Sequence, residues 1–384
     1  KRIRRIMNPQ QKQLTATLLA TASAALLFLL LPLIAGWISD RFQLDEQTAG
    51  LILSIYFGGF LLTSVLAYAT YGKVRNLSTI QLGYLLLAPG FVLCGLATTT
   101  WLLSAGLALC GIGSGFLYGT GVSIVAEQTQ SERAFGGMVA TQQIIALVLI
   151  YSLPVWVYPN YGYAACWFVL AAIVILTGFS SGWIAQDNDH RDPQPSVGAA
   201  KPATLGLVSL LFHFCMVSAV WTFVERLGIA RGFSIEDIAL SLALSLAGGL
   251  GGALIAAAVG DRFGTAYPHL VSAGAFLVAF YFLAQSAEWL NFLAAVILIS
   301  AAWTYCLSYQ MASVGNLSHQ MAVLIPGVQG VAAMLGPPLG GWMISQSGYT
   351  GLMMGSGLVI TLSSLAFCYQ SMVIARPAIN LSEQ

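Results

Sequence analysis

Charge is what this sequence of 384 residues has least of: Asp, Glu, Lys and Arg together make up 8% of it, against about 25% in typical soluble proteins. With 58% apolar residues, a water-soluble globular domain is excluded and an all-α integral membrane protein is expected. Paired cysteines are lacking too. Cys94, Cys110, Cys166, Cys215, Cys306 and Cys368 stand singly inside apolar runs, which excludes a disulfide framework or a zinc site and leaves small core residues. The net charge of +1, with no basic stripe beyond the first dozen residues, excludes a nucleic-acid partner. There is no cluster of His, Asp or Glu at ligand spacing and no nucleophile beside a base, so neither an enzyme nor a metal or other cofactor is expected. A small-residue cleavage site after a short apolar region is absent as well. The basic start (Lys1, Arg2, Arg4, Arg5) therefore reads as the cytoplasmic flank of a retained helix.

What the chain does have is long apolar runs. A spanning helix needs about 20 mostly apolar residues, and such runs occur at 14–39, 47–71, 77–98, 102–125, 134–158, 161–185, 203–224, 238–259, 266–287, 289–318, 321–347 and 348–375. None contains Asp, Glu, Lys or Arg. Residues 186–202, rich in Asp and Pro, have the composition of a linker and divide the chain into an N-terminal six-helix bundle (1–185) and a C-terminal one (203–384). With the N-terminus inside, all Lys and Arg fall in cytoplasmic loops except Arg41, Arg226 and Arg231. Both termini and the linker are therefore expected in the cytoplasm, and the bilayer in question is the inner membrane.

Residues 249–267, GLGGALIAAAVGDRFGTAY, carry a glycine-rich apolar helix into a tight turn and out into the next apolar run. The turn residues Gly260, Asp261, Arg262, Phe263 and Gly264 resemble the G-x-x-x-D-R-x-G-type signature between the second and third helices of each half of major facilitator superfamily transporters. Gly72, Lys73, Val74 and Arg75 hold the equivalent place in the first half in worn form, without the acid. The stretch 336–341, Gly-Pro-Pro-Leu-Gly-Gly, is similar to eleventh helices of that superfamily, whereas its fifth-helix antiporter signature is missing. The resemblance implies twelve transmembrane helices in two pseudo-symmetric six-helix bundles, with substrate bound between them by the first, fourth, seventh and tenth helices and their neighbours. It also implies cytoplasmic latch residues at Asp261, Arg262, Glu127 and Arg133, with Asp261 facing the start of the fifth helix.

The substrate candidates are the polar and aromatic side chains at mid-depth: Tyr118, Gln142, Gln143, Trp303, Tyr305, Tyr309 and Gln329, with Trp221 near the end of the seventh run. His213 lies near the middle of the seventh run, and an intramembrane ionisable group is a functional candidate by default. The alternative is a neutral imidazole hydrogen-bonded to a neighbouring helix. Glu225, ahead of Arg226, is a second coupling candidate, set against a structural or solvated charge pair matched by Asp40 and Arg41. His269 and His319 fall at helix ends and read as interfacial. Ser234 with Asp237 fits a capping box, and Asp45 and Glu46 open the second helix as N-terminal acids. The glycines of the fourth and eleventh runs read first as tight helix packing.

No Lys or Arg stands at mid-depth, which disfavours phosphorylated or multivalent anionic substrates. The expectation is a monomeric, proton-coupled secondary carrier for a small neutral, zwitterionic or amphipathic molecule, with export preferred. The alternatives are an uncoupled facilitator, an uptake symporter, or a membrane sensor of the same fold.

Overall fold

The computed structural model describes residues 8–70, 74–126, 128, 131–184, 200–260, 262–264, 266–285, 287–317 and 325–375. Among these residues the structure is helical and contains no strand. The helices are α1 (Pro9–Leu29), α2 (Leu31–Phe42), α3 (Glu46–Ala69), α4 (Asn76–Leu96), α5 (Thr100–Ala126), α6 (Ser131–Ser152), α7 (Tyr158–Gly178), α8 (Ala200–Ala230), α9 (Ile235–Val259), α10 (Ala266–Gln285), α11 (Trp289–Leu317) and α12 (Ile325–Ala375).

Local chemistry sets the ends and breaks of these helices. Asn8 and Gln11 form a reciprocal capping box at the start of α1, with bonds of 2.7 and 3.2 Å and Pro9 in the first turn. Pro32 has no N–H to give, and the helix breaks just before it, at Leu30, so α1 and α2 are two pieces of one crossing. Ser234 caps α9 by accepting from the Asp237 N–H at 3.1 Å, the expected Ser half of that box.

Ten stretches of the described residues are long and apolar enough to cross a membrane, and two of these are of double length: Gly136–Trp183 with 48 residues and Gly327–Gln370 with 44. An unbroken helix of 44 residues would run about 66 Å, more than twice the hydrocarbon thickness of about 30 Å. Each is broken once by glycine, at Gly162 (φ 76°, ψ −173°) and Gly348 (φ 64°, ψ −172°). That region is essentially closed to side-chain-bearing residues. The two double stretches are therefore two crossings each, which brings the described residues to twelve crossings.

Contacts group the described helices into two compact units. One holds α1, α3 from Ile55 onward, α4, α5, α6 as far as Leu149, and the chain from Trp156 through α7. Its core contains Tyr56, Phe57, Phe91 and Trp167. Here α5 lies so close to α3 that a Cβ on Gly111 would strike the Tyr56 carbonyl oxygen and one on Gly119 would come within 2.9 Å of the Ser64 oxygen. Cys94 and Cys110 fill the spaces over Gly106 and Gly90, and all six cysteines are free and buried. The other unit holds α2, the start of α3 through Ser54, Ile150–Val155, and α8 to α12. Phe223, Phe276, Phe292 and Phe367 fill its core. In that unit Gly336 and Gly340 bring α12 against Cys215, Ser218 and Ala219 of α8. Large apolar side chains such as Leu62, Leu85, Leu176, Leu254 and Leu358 point outward, as lipid-facing surfaces do.

Candidate functional site

Helix α8 supplies both ionisable candidates. His213, in its middle, is fully buried. Its ring stacks on Trp303 of α11 at 5.9 Å and meets Phe276 of α10 edge-on at 5.3 Å. Nδ1 lies 3.4 Å from the Ser363 hydroxyl of α12. That hydroxyl donates to the Ile360 carbonyl at 2.9 Å, and the neutral tautomer that carries its proton on Nδ1 can donate to the serine oxygen and leave the Nε2 lone pair open. No protein group reaches Nε2. Two of the sequence-predicted candidates, His213 and Trp303, are thus brought together. Sequence reasoning missed Ser363, although a serine on the same α12 face seven residues before Gln370 is a pattern open to inspection.

At the C-terminal end of α8 the charged groups are arranged differently. Arg226 turns away from Glu225, donating to Asp40 Oδ1 at 2.6 Å and to the Gly36 carbonyl at 3.0 Å. Asp40 is largely exposed, and such a bridge contributes about 0–1 kcal/mol. The Glu225 carboxylate packs on Gly36, where a Cβ would stand 2.5 Å from Oε2, and Oε2 has no protein partner. Tyr349, the first residue after the Gly348 break, donates its hydroxyl to Glu46 Oε1 at 3.2 Å. Glu46, read from sequence as a helix-start acid, therefore also ties α3 to α12. Asp45 has the expected capping role, accepting from the Thr48 N–H at 2.6 Å, and that bond holds its carboxyl below the ordinary value of 3.8.

The remaining candidates are placed as follows. Tyr118 is half-buried with its ring 5.6 Å from Phe60. Gln142 and Gln143 on α6 are half-buried, and each keeps one shielded amide atom without a protein partner, Nε2 in the first and Oε1 in the second. Trp221 and Gln329 are half-buried. Tyr305 and Tyr309 stand edge to face at 5.2 Å, and the Tyr309 hydroxyl donates to the carbonyl of Gly260 at 2.8 Å, so Tyr309 anchors the end of α9 next to the signature turn. Arg262 is exposed in that turn. Asp261, Glu127, His190 and His319 lie outside the described residues, as does the side chain of Arg133. One expectation is corrected: His269 is not interfacial but fully buried, with its ring 4.4 Å from Phe367. Helix α12 covers it, which its position near the start of α10 could not reveal. A groove of about 790 Å³ between α4 and α7, bordered by Gln81, Tyr84, Pro89, Val174, Phe179 and Ser181, contains none of the candidates.

Comparison with known proteins gives the family. The model described as Major Facilitator Superfamily matches residues 15–325. No curated protein sequence matches the chain. Among solved structures, the chain is similar to a bacterial homologue of the human lysosomal transporter Spinster. In its inward-facing, unoccupied conformation that protein superposes with a TM-score of 0.73 at 15% identity, over 96% of this chain and 98% of the other. In its inward-facing, occupied conformation the values are 0.70 and 15%, over 94% and 96%. At this identity the likeness is one of fold.

Proposed function

The chain belongs to the major facilitator superfamily, a transporter family rather than an enzyme one, and from that premise we propose that it is a proton-coupled secondary carrier working by alternating access. Its cargo is a small neutral, zwitterionic or amphipathic organic molecule, exported across the inner membrane by a monomer whose termini are cytoplasmic. The observation that carries the reading is His213, a fully buried imidazole in mid-helix with an uncommitted Nε2. An imidazole inside the bilayer is a functional candidate by default, and its open Nε2 is the atom that would accept the proton. Glu225 is a second proton site at the far end of the same helix. Tyr118, Gln142, Gln143, Trp221, Trp303, Tyr305, Tyr309 and Gln329 contact substrate as the two six-helix halves, joined by 186–202, alternate. Glu127, Arg133, Asp261 and Arg262 fasten the cytoplasmic side. The absence of Lys and Arg at mid-depth supports the choice of substrate class.

The test begins with a thermal-shift screen of the purified protein against metabolites and drugs, followed by flux of the best stabiliser in proteoliposomes with and without a pH gradient. His213→Gln is expected to fold and to lose the dependence on the gradient. An unchanged dependence in a folded variant removes the coupling role. For topology, cysteines replacing Asn188 and Glu236 in a background without the native six should label from opposite faces, Glu236→Cys from outside. Labelling of Asn188→Cys from outside in intact cells would invert the topology.

A further inference from the structure

We infer that Gln310, Ser209 and His213 Nε2 hold a short file of bound water inside the second half of the chain, running from His213 toward Gly206 and Gln370. Two levels frame it. At the first, His213, Trp303 and Ser363 meet. At the second, α8, α11 and α12 converge on Gly206, where a Cβ would stand 2.9 Å from Val314 Cγ2 and 3.0 Å from Gln370 Oε1. On α8 and on α12 the levels are seven residues apart, about 10 Å of helix.

Between them α11 presents Gln310, seven residues after Trp303 and four before Val314, and hence on the same face. Helix α8 presents Ser209, one turn from His213. Gln310 is 0% exposed, and neither its Oε1 nor its Nε2 has a protein partner. The Ser209 hydroxyl and His213 Nε2 are buried in the same condition. An amide offers two donors and two acceptor lone pairs, and in a bilayer no solvent outside the protein can serve them. Buried polar groups are otherwise almost always paired, and water takes a site where several such groups converge. Alongside, Leu207, Leu210, Val314, Ile325 and Phe367 pack into an apolar cluster.

Such a file gives protons a route to an imidazole that no charged side chain approaches from the packed helices. The ionisable groups buried on α10, α11 and α12 among the described residues are His269, Cys306, Tyr309 and Cys368, and no carboxylate, lysine or arginine is fully buried there. The use of the file rests on the proposed proton coupling, but its existence does not.

The experiment is deuterium exchange at the imidazole C2 position, read by mass spectrometry on the full-length protein in detergent and D2O. His213 should exchange, and Gln310→Leu should slow it by about fivefold or more by removing the amide that holds the water, while Gln310→Asn stays within about twofold of the parent. A protected His213 in the parent protein overturns the inference. So does a Gln310→Leu rate that is unchanged or raised, since a raised rate reports loosened packing instead. Normal exchange combined with flux that ignores the pH gradient would leave the water file standing and remove the coupling reading.

Discussion

The seam between α3 and α5 and the interior around Gln310 both hold polar groups out of reach of bulk water, and they satisfy them by different means. In the α3–α5 seam the polar groups are hydroxyls. Thr63 donates within its own helix to Gly59 O at 2.8 Å and lies 3.0 Å from Ile112 O across the seam, and Ser64 lies 3.5 Å from Gly115 O. Backbone carbonyls of α5 provide the acceptors for both hydroxyls across the seam. Around Gln310 the groups are the Gln310 amide, the Ser209 hydroxyl and the His213 imidazole, and each keeps an atom with no protein partner. The same fold can thus be tight and self-satisfied in one place and dependent on other partners in another. What separates the two is whether a neighbouring helix brings a carbonyl within reach of the polar group, not hydropathy.

The largest expected effect breaks the comparison from the tight side. Gly111→Leu drives a side chain into the Tyr56 carbonyl, where rigid backbone must move, and should cost about 3 kcal/mol, the upper end for overpacking. Gln310→Leu, nearly conserving volume, should stay within about 1.5 kcal/mol. Thermal unfolding of both variants in one detergent checks this, and equal losses would mean that the two interiors are packed alike. Thr63→Val, which keeps the shape and removes the hydroxyl, should cost about 1 kcal/mol through loss of its bonds to the Gly59 and Ile112 carbonyls. A neutral result would show that the glycine contacts alone hold the seam.

The smallest effect belongs to Asp45, where water competes for every partner. Asp45→Ala should cost about 0.5 kcal/mol, at the low end for a helix cap in an open site. Its carboxyl is lowered from 3.8, so the contribution is present above about pH 4 and disappears as pH falls through the lowered value. Stability of Asp45→Ala and the parent should differ at pH 7, and the difference should shrink as the pH falls below 3.8.

Much of this architecture was legible in advance. The run 238–259 became α9 (Ile235–Val259) and 102–125 became α5 (Thr100–Ala126), because in lipid a backbone must satisfy itself and an apolar run of that length has no other choice. The run 203–224 stopped at Glu225 on polarity, yet α8 continues to Ala230. Helices outlast the hydrocarbon when a charge such as Arg226 finds partners, here Asp40 and Gly36. The break at Leu30 inside the run 14–39 carried only Pro32 as its signal.

By itself the sequence determined that the chain crosses a membrane twelve times and where most of the loops fall, since composition and length answer to the solvent. It also singled out His213, because an ionisable side chain in an apolar run stands out without any knowledge of neighbours. Only tertiary structure decided what that imidazole faces, that His269 is buried under Phe367, that Arg226 serves Asp40 rather than Glu225, and that Gln310 lacks a partner. The reason is physical: lipid and protein interior are equally apolar, so periodicity cannot tell a face turned to the bilayer from one turned to a neighbouring helix.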